Sequence, residues 1–144
     1  MYNQEFDALK TKMLKYIMYK KRTEKEIRQK FSNMDENMVD DAIEYLKETG
    51  YIDDTKYVER AVKEFTNIQT LSIKEIKYKL MSKGVDNNLI EDYISKHLSE
   101  LEDYEAECAQ KIYYKKMNNM EKIEINMFLR KKGYKEESIK QIKE

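Results

Sequence analysis

The stretch Ser72-Ile73-Lys74-Glu75-Ile76-Lys77-Tyr78-Lys79-Leu80-Met81-Ser82-Lys83-Gly84-Val85 has the features of one capped amphipathic helix. Ser72 and Glu75 form the S-x-x-E pattern of a capping box, in which the hydroxyl accepts the Glu75 N–H and the carboxylate accepts the Ser72 N–H. Ile76 and Leu80 lie four residues apart and therefore share one face. The glycine near the end offers the left-handed conformation that commonly ends a helix, and the following valine can pack back as a hydrophobic seal.

This pattern occurs three times, with its N-cap position at residues 23, 72 and 121. The matching residues of the first copy are Thr23, Glu26, Ile27 and Phe31, and those of the third copy are Glu124, Ile125, Leu129, Gly133 and Tyr134. The first copy lacks the two residues that would match Lys83 and Gly84, and the third has Glu121, a poor N-cap residue, at its cap position. Self-similarity at a period of about 50 residues is typical of tandem structural modules.

The composition favours helices along the whole chain of 144 residues. Proline is absent, glycine occurs three times and charged residues make up 39%. Straight-chain residues lose little side-chain freedom in a helix, and no helix breaker interrupts the segments. We therefore expect an all-α fold of three tandem three-helix repeats, each similar to a helix-turn-helix module, in an elongated array whose curvature the sequence leaves open. The expected repeats span residues 1–52, 53–101 and 102–144.

Apolar spacing and acidic residues predict where the helices begin. In the first repeat the spacing indicates helices over residues 6–20, 23–30 and 35–49. The pair Asp53-Asp54 can cap the first helix of the second repeat. We expect Glu102-Asp103 to take the same part in the third repeat, so that a new helix begins there.

No constellation of catalytic residues is recognisable in the sequence. The one histidine, His97, matches the apolar Leu46 of the first repeat, and we expect a partly buried structural residue. The single cysteine, Cys108, matches Ala61 and is expected in the core as a small hydrophobic residue. These two residues make neither a zinc site nor a Cys–His pair, and the isolated glycines make no phosphate-binding loop. We expect a protein that is not an enzyme, with no cofactor and no metal, because a small enzyme would require an active site that the sequence does not show.

The sequence shows no sign of a membrane or secreted protein. No stretch approaches the roughly 20 apolar residues that a membrane span needs. Residues 1–5 have no basic region or apolar segment typical of a signal peptide. A single cysteine excludes an internal disulfide and argues against a secreted scaffold. We therefore expect a cytoplasmic protein without a membrane partner.

Charge alternates along the chain, although 28 basic and 28 acidic side chains give a net charge of zero. Residues 10–30 carry nine Lys/Arg against two Glu, and residues 111–135 carry eight against two. Residues 35–54 and 86–107 are acidic, each with eight Asp/Glu against one Lys. Two interpretations stay open at this point. The blocks are solvated helix faces that complement the helix dipoles, or stacking gathers the basic helices into a stripe that attracts a polyanion.

The second helix of each repeat presents mostly lysine, with Arg28 and Arg130 as exceptions. Lysine suits contacts to phosphate better than the reading of base edges. Tyrosines lie among these lysines and would permit base stacking, or they are amphipathic boundary residues with the ring on the core and the hydroxyl in water. These tyrosines are Tyr16, Tyr19, Tyr78, Tyr113 and Tyr114.

Three stretches carry a resemblance to a known family. The segments Arg22-Thr23-Glu24-Lys25-Glu26-Ile27 and Leu46-Lys47-Glu48-Thr49-Gly50-Tyr51-Ile52-Asp53-Asp54 resemble the R-[ST]-x-x-E-[LI] … L-x-x-x-G-[YF]-[IL]-D-D signature of the RecX family. The stretch from Ser72 to Val85 is similar to the family's S-x-x-x-[IL]-x-x-x-L-x-x-K-G-[IV] segment. The third copy ends in Leu129-Arg130-Lys131-Lys132-Gly133-Tyr134, which is similar to the family's L-x-x-[RK]-G-[FY] close. The resemblance spans residues 8–144.

The resemblance implies three tandem three-helix modules and a non-enzymatic, cytoplasmic regulator of the recombinase RecA. It implies that the partners are RecA and its filament on single-stranded DNA, and that binding inhibits recombinase, ATPase and co-protease activities. A direct contact to DNA phosphates is compatible with the lysines. The alternative is a helical repeat protein that binds nucleic acid directly and has no recombinase target. One departure from the family is the missing Lys-Gly between Phe31 and Met34, which shortens the turn before the third helix.

The candidate partner-binding residues are basic positions around the repeated helix. Lys83 and Lys132 are equivalent under the repeat, which is the strongest internal reason to choose them. The complete set of expected filament-binding or partner-binding residues is Lys20, Lys21, Arg22, Lys77, Lys83, Arg130, Lys131 and Lys132.

Overall fold

A computed structural model describes residues 4–144, and this part of the chain folds into nine α-helices and no strands. The all-α prediction is confirmed. The helices are α1 (Gln4–Tyr19), α2 (Glu24–Lys30), α3 (Glu36–Glu48), α4 (Asp54–Ile68), α5 (Ile73–Ser82), α6 (Asn87–Lys96), α7 (Leu98–Lys116), α8 (Lys122–Lys132) and α9 (Glu136–Lys140).

The predicted capping boxes are present at the starts of α2 and α5. Thr23 and Ser72 each accept the N–H three residues ahead, at 3.2 Å and 3.1 Å, while the Glu carboxylates accept the cap N–H groups. At α8 the Glu124 carboxylate accepts the Glu121 N–H at 3.1 Å. All three copies of the repeated helix therefore begin where the sequence predicts.

The repeated helix ends differently in the first copy. Gly84 and Gly133 are left-handed, with φ of 89° and 97°. The residue after each glycine, Val85 or Tyr134, returns its N–H to a carbonyl five residues back, at 3.2 Å and 3.0 Å. The first copy has no glycine here, and α2 closes instead through an N–H of Met34 that donates to the Phe31 carbonyl at 3.1 Å. Because the first copy lacks the Lys-Gly dipeptide, α2 ends in a short turn and not at a left-handed glycine.

Three clusters of buried apolar side chains form the interior. The first is built from α1, α2 and α3, together with Ile52. The second is built from α4, α5 and α6, and it also takes Leu101 from α7. The third is built from α7, α8 and α9, and it includes Cys108, which is 1% exposed, as the sequence predicts. Tyr104 packs against both the second and the third cluster.

The expected helix start at Glu102-Asp103 is wrong. The helix α7 begins at Leu98 and runs through this acidic pair without a break. His97 alone separates α6 from α7, because it ends α6 with φ −117° and ψ 20° and its ring stacks on Tyr93 at 4.2 Å between centroids. Since Leu101 is buried in the second cluster, α7 links the second and third clusters as one continuous helix.

The repeats meet through two joints of the same geometry. In the first joint the Thr23 hydroxyl donates to the Lys83 carbonyl at 2.6 Å, and in the second the Ser72 hydroxyl donates to the Lys132 carbonyl at 2.8 Å. Each hydroxyl thus caps its own helix and also satisfies a carbonyl at the end of the equivalent helix of the next repeat. We call these contacts joint 1 (α2 with α5) and joint 2 (α5 with α8).

The left-handed glycines also serve the joints. A Cβ on Gly84 would lie 2.6 Å from the Lys25 Cβ, and a Cβ on Gly133 would lie 2.9 Å from the Lys74 Cβ. Lys25 and Lys74 are equivalent positions of the repeat, one residue into the capped helix. The same close backbone approach therefore recurs in both joints, and glycine is required there by space as well as by conformation.

Candidate functional site

The eight expected partner-binding residues fall in three places. Lys20, Lys21 and Arg22 lie in the connection between α1 and α2, and Lys77 and Lys83 lie on α5 and at its end. Arg130, Lys131 and Lys132 form the last turn of α8. The structure places Lys77 beside Gly133, at the end of α8, across joint 2. The Lys83 carbonyl instead belongs to joint 1, where it accepts the hydroxyl of Thr23, the residue after Arg22.

Three of the expected residues are engaged in ion pairs within the chain. Lys77 pairs with Glu91 at 3.0 Å, and Lys132 pairs with Glu75 at 3.2 Å across joint 2. Arg130 makes a two-point contact with the Glu136 carboxylate, whose second bond measures 3.2 Å. This contact raises the pKa of the Arg130 guanidinium and lowers the pKa of the Glu136 carboxyl. Such surface pairs are weak, so a polyanion can compete for these cations.

A basic surface with an exposed tyrosine at its centre lies across joint 2. Tyr78 is 72% exposed, and lysines of α5 and α8 surround it. Together they line a depression of about 470 Å³. We call this the joint-2 surface, and its residues are Lys74, Tyr78, Lys79, Lys131 and Lys132. A second depression of about 440 Å³ shares Lys74 and Tyr78 and adds Lys77 and Lys135.

The sequence interpretation missed Lys74, Lys79 and Lys135 of this region. The signal that could have found Lys74 is its spacing of four residues from Tyr78, on the face opposite Ile76 and Leu80. A residue on that outer face can contact a partner only where the next repeat does not cover it. The geometry of the joint decides which residues are covered. The sequence alone does not contain that geometry.

The basic surface continues towards Phe128. The Lys116 Nζ lies 4.3 Å from the centre of the Phe128 ring, which is a cation–π distance. Lys115, Lys116, Phe128 and Lys132 line a further depression of about 360 Å³. Since Lys132 also belongs to the joint-2 surface, cations of α5, α7 and α8 form one continuous basic region.

The residues at the end of α1 line a different cleft. The Arg22 guanidinium lies 4.0 Å from the centre of the Tyr16 ring, and its buried Nε has no hydrogen-bond partner among residues 4–144. Lys21 and Arg22 face α4 across a cleft of about 490 Å³ whose α4 side carries both basic and acidic side chains. Those side chains are Lys56, Glu59, Arg60, Lys63 and Glu64. This cleft shares no lining residue with the joint-2 surface, so these basic side chains lie in two separate depressions.

Lys83 and Lys132 make equivalent backbone contacts, but the contacts of their side chains differ. Both carbonyls accept the cap hydroxyl of the preceding repeat. The Lys132 ammonium also pairs with Glu75, whereas no ion pair joins Lys83 to the equivalent Glu26 in residues 4–144. The tyrosines differ as well, because Tyr113 is buried at 8% exposure and belongs to the third core cluster.

The cysteine has the environment of a core residue. Burial raises the pKa of the Cys108 thiol, which disfavours the thiolate that a nucleophile needs. In the part of the chain that the structure describes, no three His, Cys, Asp or Glu side chains are grouped so as to hold a metal ion. Among the same residues, no helix combines the length and apolar character that crossing a membrane requires.

The curated proteins that are similar in sequence to this chain agree with one another. No protein-family profile matches the chain. The regulatory protein RecX of Clostridium acetobutylicum is 34% identical over 117 residues, which cover 80% of this chain and 53% of that protein. RecX of Clostridium perfringens is 34% identical over 138 residues, covering 90% of this chain and 64% of the relative. The chain thus spans between about half and two thirds of the length of these curated relatives.

A solved structure agrees with the sequence relatives. The crystal structure of RecX from Lactobacillus salivarius superposes with a TM-score of 0.79 at 26% identity, over 94% of this chain and 92% of that one. The chain belongs to the RecX family of regulatory proteins.

Proposed function

We propose that this protein is a non-enzymatic, cytoplasmic regulator that binds the RecA recombinase and its filament on single-stranded DNA. Binding inhibits the recombinase, ATPase and co-protease activities of RecA. Membership of the RecX family supports the proposal, since the relatives are named regulatory proteins. The observation that carries it is the joint-2 surface, where two repeats together present lysines around an exposed tyrosine, and three of them, Lys74, Lys79 and Lys131, form no ion pair within residues 4–144.

The arrangement of the basic regions supports a two-part contact. The joint-2 surface and the α1–α4 cleft offer separate groups of cations to a polyanion, either DNA phosphate or an acidic surface of the recombinase. Apolar contacts then bridge adjacent recombinase subunits and hold the filament in a state that does not add subunits. The proposed contacts are the eight expected residues, Lys20, Lys21, Arg22, Lys77, Lys83, Arg130, Lys131 and Lys132, with Lys74 and Lys79 added.

The lysines that form no ion pair within residues 4–144 should contribute most to binding. Lys74, Lys79 and Lys131 are exposed and belong to this group. Lys77, Arg130 and Lys132 must first leave Glu91, Glu136 and Glu75, and this exchange reduces their net contribution.

The direct test is the single-strand-dependent ATPase of RecA with this protein titrated below the recombinase concentration. We expect loss of ATPase activity at a small fraction of the RecA concentration, because one regulator that blocks addition acts on many subunits. An unchanged ATPase at equimolar protein, with helical circular dichroism intact, would contradict the proposal.

The contribution of the joint-2 surface can be tested by charge reversal. The variant Lys74→Glu/Lys79→Glu/Lys131→Glu should lose at least about tenfold in inhibition, since several phosphate-type contacts are replaced by repulsion. The matched control is Lys12→Glu/Lys15→Glu/Lys96→Glu, which makes the same charge change at exposed lysines outside both basic regions. Equal losses in the two variants would mean that only net charge matters and would remove the joint-2 surface from the binding site.

The exposed Tyr78 among lysines also favours a second candidate function, direct binding of single-stranded nucleic acid without a recombinase. This alternative predicts tight binding to naked DNA that falls steeply with salt. Measuring affinity for single-stranded DNA at several salt concentrations in the absence of RecA separates the two functions.

We also propose that residues 1–52, 53–101 and 102–144 are the three repeat units. The three buried clusters support this division, while the continuous helix α7 couples the second and third units. Limited proteolysis should therefore release the first unit before it separates the other two.

A further inference from the structure

The turn before α5 is held from two sides by tyrosine hydroxyls across joint 2. The Tyr104 hydroxyl of α7 donates to the Leu71 carbonyl at 2.8 Å. The Tyr134 hydroxyl, from the connection between α8 and α9, donates to the Thr70 carbonyl at 2.6 Å. An ion pair of 3.2 Å also links α5 to α8 at this joint. Several side-chain contacts therefore join the second and third repeats, in addition to the cap hydroxyl that defines the joint.

The equivalent positions of joint 1 offer no such contacts. Tyr57 matches Tyr104 under the repeat, but its hydroxyl has no hydrogen-bond partner among residues 4–144. Val85 matches Tyr134 and has no hydroxyl to donate. Within residues 4–144, two hydrogen bonds cross from the first repeat to the second, and no ion pair crosses with them. These bonds are Thr23 to Lys83 at 2.6 Å and Glu24 to Asp54 at 3.0 Å.

The buried clusters show the same difference between the two boundaries. Tyr104 packs against both the second and the third cluster, and Leu101 brings α7 into the second. No apolar side chain of residues 4–144 packs against both the first and the second cluster. Residues 49–53 connect α3 to α4 without helical structure, whereas α7 is continuous. A continuous helix moves as one piece, while a short non-helical connection can absorb changes of φ and ψ.

Arg22 gives a further reason why the contact between the first repeat and α4 is weak. It matches Leu71, which is buried in the second cluster. Arg22 instead lines the α1–α4 cleft, and its buried Nε has no hydrogen-bond partner among residues 4–144. A buried donor without an acceptor costs free energy, which is recovered when water reaches the donor. This residue therefore favours a wider cleft.

We propose that the first repeat is a hinged unit, which swings about joint 1 while the second and third repeats move together as one rigid body. The pivot is Asp53, which lies between Ile52 of the first cluster and the start of α4. The α1–α4 cleft has Lys21 and Arg22 on one side of the pivot and α4 on the other, so the swing widens and narrows it. The joint-2 surface lies within the rigid body and keeps its shape. The hinge does not depend on the function proposed above.

Spin labels at three equivalent exposed positions measure the swing. Asn37, Asn88 and Glu137 are the second residues of α3, α6 and α9. The double variant Asn37→Cys/Asn88→Cys spans joint 1, and Asn88→Cys/Glu137→Cys spans joint 2. Cys108 is 1% exposed and is not labelled in the folded protein. Pulsed electron paramagnetic resonance should give a distance distribution at least about twice as wide across joint 1 as across joint 2.

Removal of the tyrosine hydroxyls should make joint 2 behave more like joint 1. Tyr104→Phe/Tyr134→Phe keeps both rings and deletes both donors, and it should widen the distribution across joint 2 by at least about half. The matched control, Tyr57→Phe, deletes a hydroxyl without a hydrogen-bond partner among residues 4–144 and should leave the distribution across joint 1 unchanged. Circular dichroism of each labelled protein checks that the helices are intact.

Each outcome bears on the hinge. Equal widths across the two joints, without the phenylalanine substitutions, would overturn it, because the first repeat would then be held as firmly as the third. A wider distribution across joint 2 would place the pivot at α7 and would also overturn the proposal. An unchanged width across joint 2 in Tyr104→Phe/Tyr134→Phe would overturn the assignment of rigidity to the two hydroxyls. The measurement uses no RecA, so failure of the proposed regulatory function would not alter its result.

Discussion

Joint 1 and joint 2 have the same backbone contacts and different side-chain chemistry around them. In both, a cap hydroxyl meets a helix-terminal carbonyl and a left-handed glycine lies against a lysine stem. A carboxylate from the first helix of the next repeat, α4 or α7, also accepts an N–H at the start of the capped helix. In joint 1 it is Asp54, which accepts the Glu24 N–H at 3.0 Å, and in joint 2 it is Glu105, which accepts the Ile73 N–H at 2.8 Å.

The two carboxylates differ in the number of hydrogen bonds that they accept. Asp54 is half-buried, and the Glu24 N–H is its one hydrogen-bond donor in residues 4–144. Glu105 is fully buried, and its other oxygen accepts the Lys135 N–H and the Ser138 hydroxyl, each at 2.8 Å. One carboxylate thus holds the starts of α5 and α9 against α7. The same backbone contacts therefore occur with a half-buried carboxylate at joint 1 and with a fully buried carboxylate at joint 2. Joint 2 depends more on its carboxylate than joint 1 does, because more hydrogen bonds end on it.

Removal of the Glu105 carboxylate should have the greatest effect on stability. Glu105→Ala leaves three donors without a partner at a buried position, and we expect a loss of about 3–5 kcal/mol in the free energy of unfolding. Asp54→Ala should cost about 1 kcal/mol, since its single N–H can reach water. Urea unfolding followed by circular dichroism measures both. Equal losses would show that the two joints do not differ in the way the hydrogen bonds indicate.

Alanine at the three left-handed glycines should separate conformation from close contact. Gly50 has a φ of 84°, and apart from its chain neighbours no atom of residues 4–144 lies within 4 Å of an added Cβ. Gly50→Ala should therefore cost about 1–2 kcal/mol for the left-handed backbone alone. Gly84→Ala and Gly133→Ala add a clash with Lys25 or Lys74 and should each cost about 1–3 kcal/mol more. Thermal unfolding of the three variants under identical conditions provides the measurement.

The order of the stability losses in these three variants shows whether the glycines are needed for the close contact at the joints as well as for the left-handed backbone. A cost at Gly133 no larger than at Gly50 would mean that joint 2 relaxes without loss. Gly84 gives the more severe contact, because two atoms of Lys25 lie 2.6 Å from the added Cβ, against 2.9 Å and 3.0 Å for Lys74. The lysine stems are flexible, so part of each clash can be relieved by a change of rotamer.

The sequence predicted the elements whose signals are local. The capping boxes at Thr23 and Ser72 and the stops at Gly84 and Gly133 depend on residues within one turn, and all four were found where expected. The start of α7 was missed because glutamate, as at Glu102, suits a helix interior as well as a helix start. The burial of Leu101 shows that the helix already includes the residue before the acidic pair.

The candidate site was less accessible to sequence reasoning than the fold. Lys131 and Lys132 were chosen because they end a repeated motif, but Lys74 and Lys79 become their neighbours only when α8 docks on α5. Glu105 matches the apolar Val58 under the repeat, so nothing local distinguishes it from a surface carboxylate. Contacts between repeats depend on distances between residues that are 30 to 60 positions apart, and a residue pattern does not record them.

The pH dependence of joint 1 gives the smallest and most specific test. Burial raises the pKa of the Asp54 carboxyl above its ordinary value of 3.8, although the Glu24 N–H opposes the shift. The folded state therefore holds a proton more tightly than the unfolded state, and folding is favoured as the pH falls through the raised pKa.

Asp54→Asn keeps an oxygen that accepts the N–H and does not titrate. We expect the stability of the wild type relative to Asp54→Asn to rise by under about 1 kcal/mol between pH 7 and pH 4. Glu24, whose pKa is lowered because hydrogen bonds from Lys47 and Arg28 together outweigh its burial, is present in both proteins, and so its own loss of stability in acid largely cancels. A relative stability that falls on acidification would show that Asp54 contributes to joint 1 as a stabilising charge and not only as a hydrogen-bond acceptor.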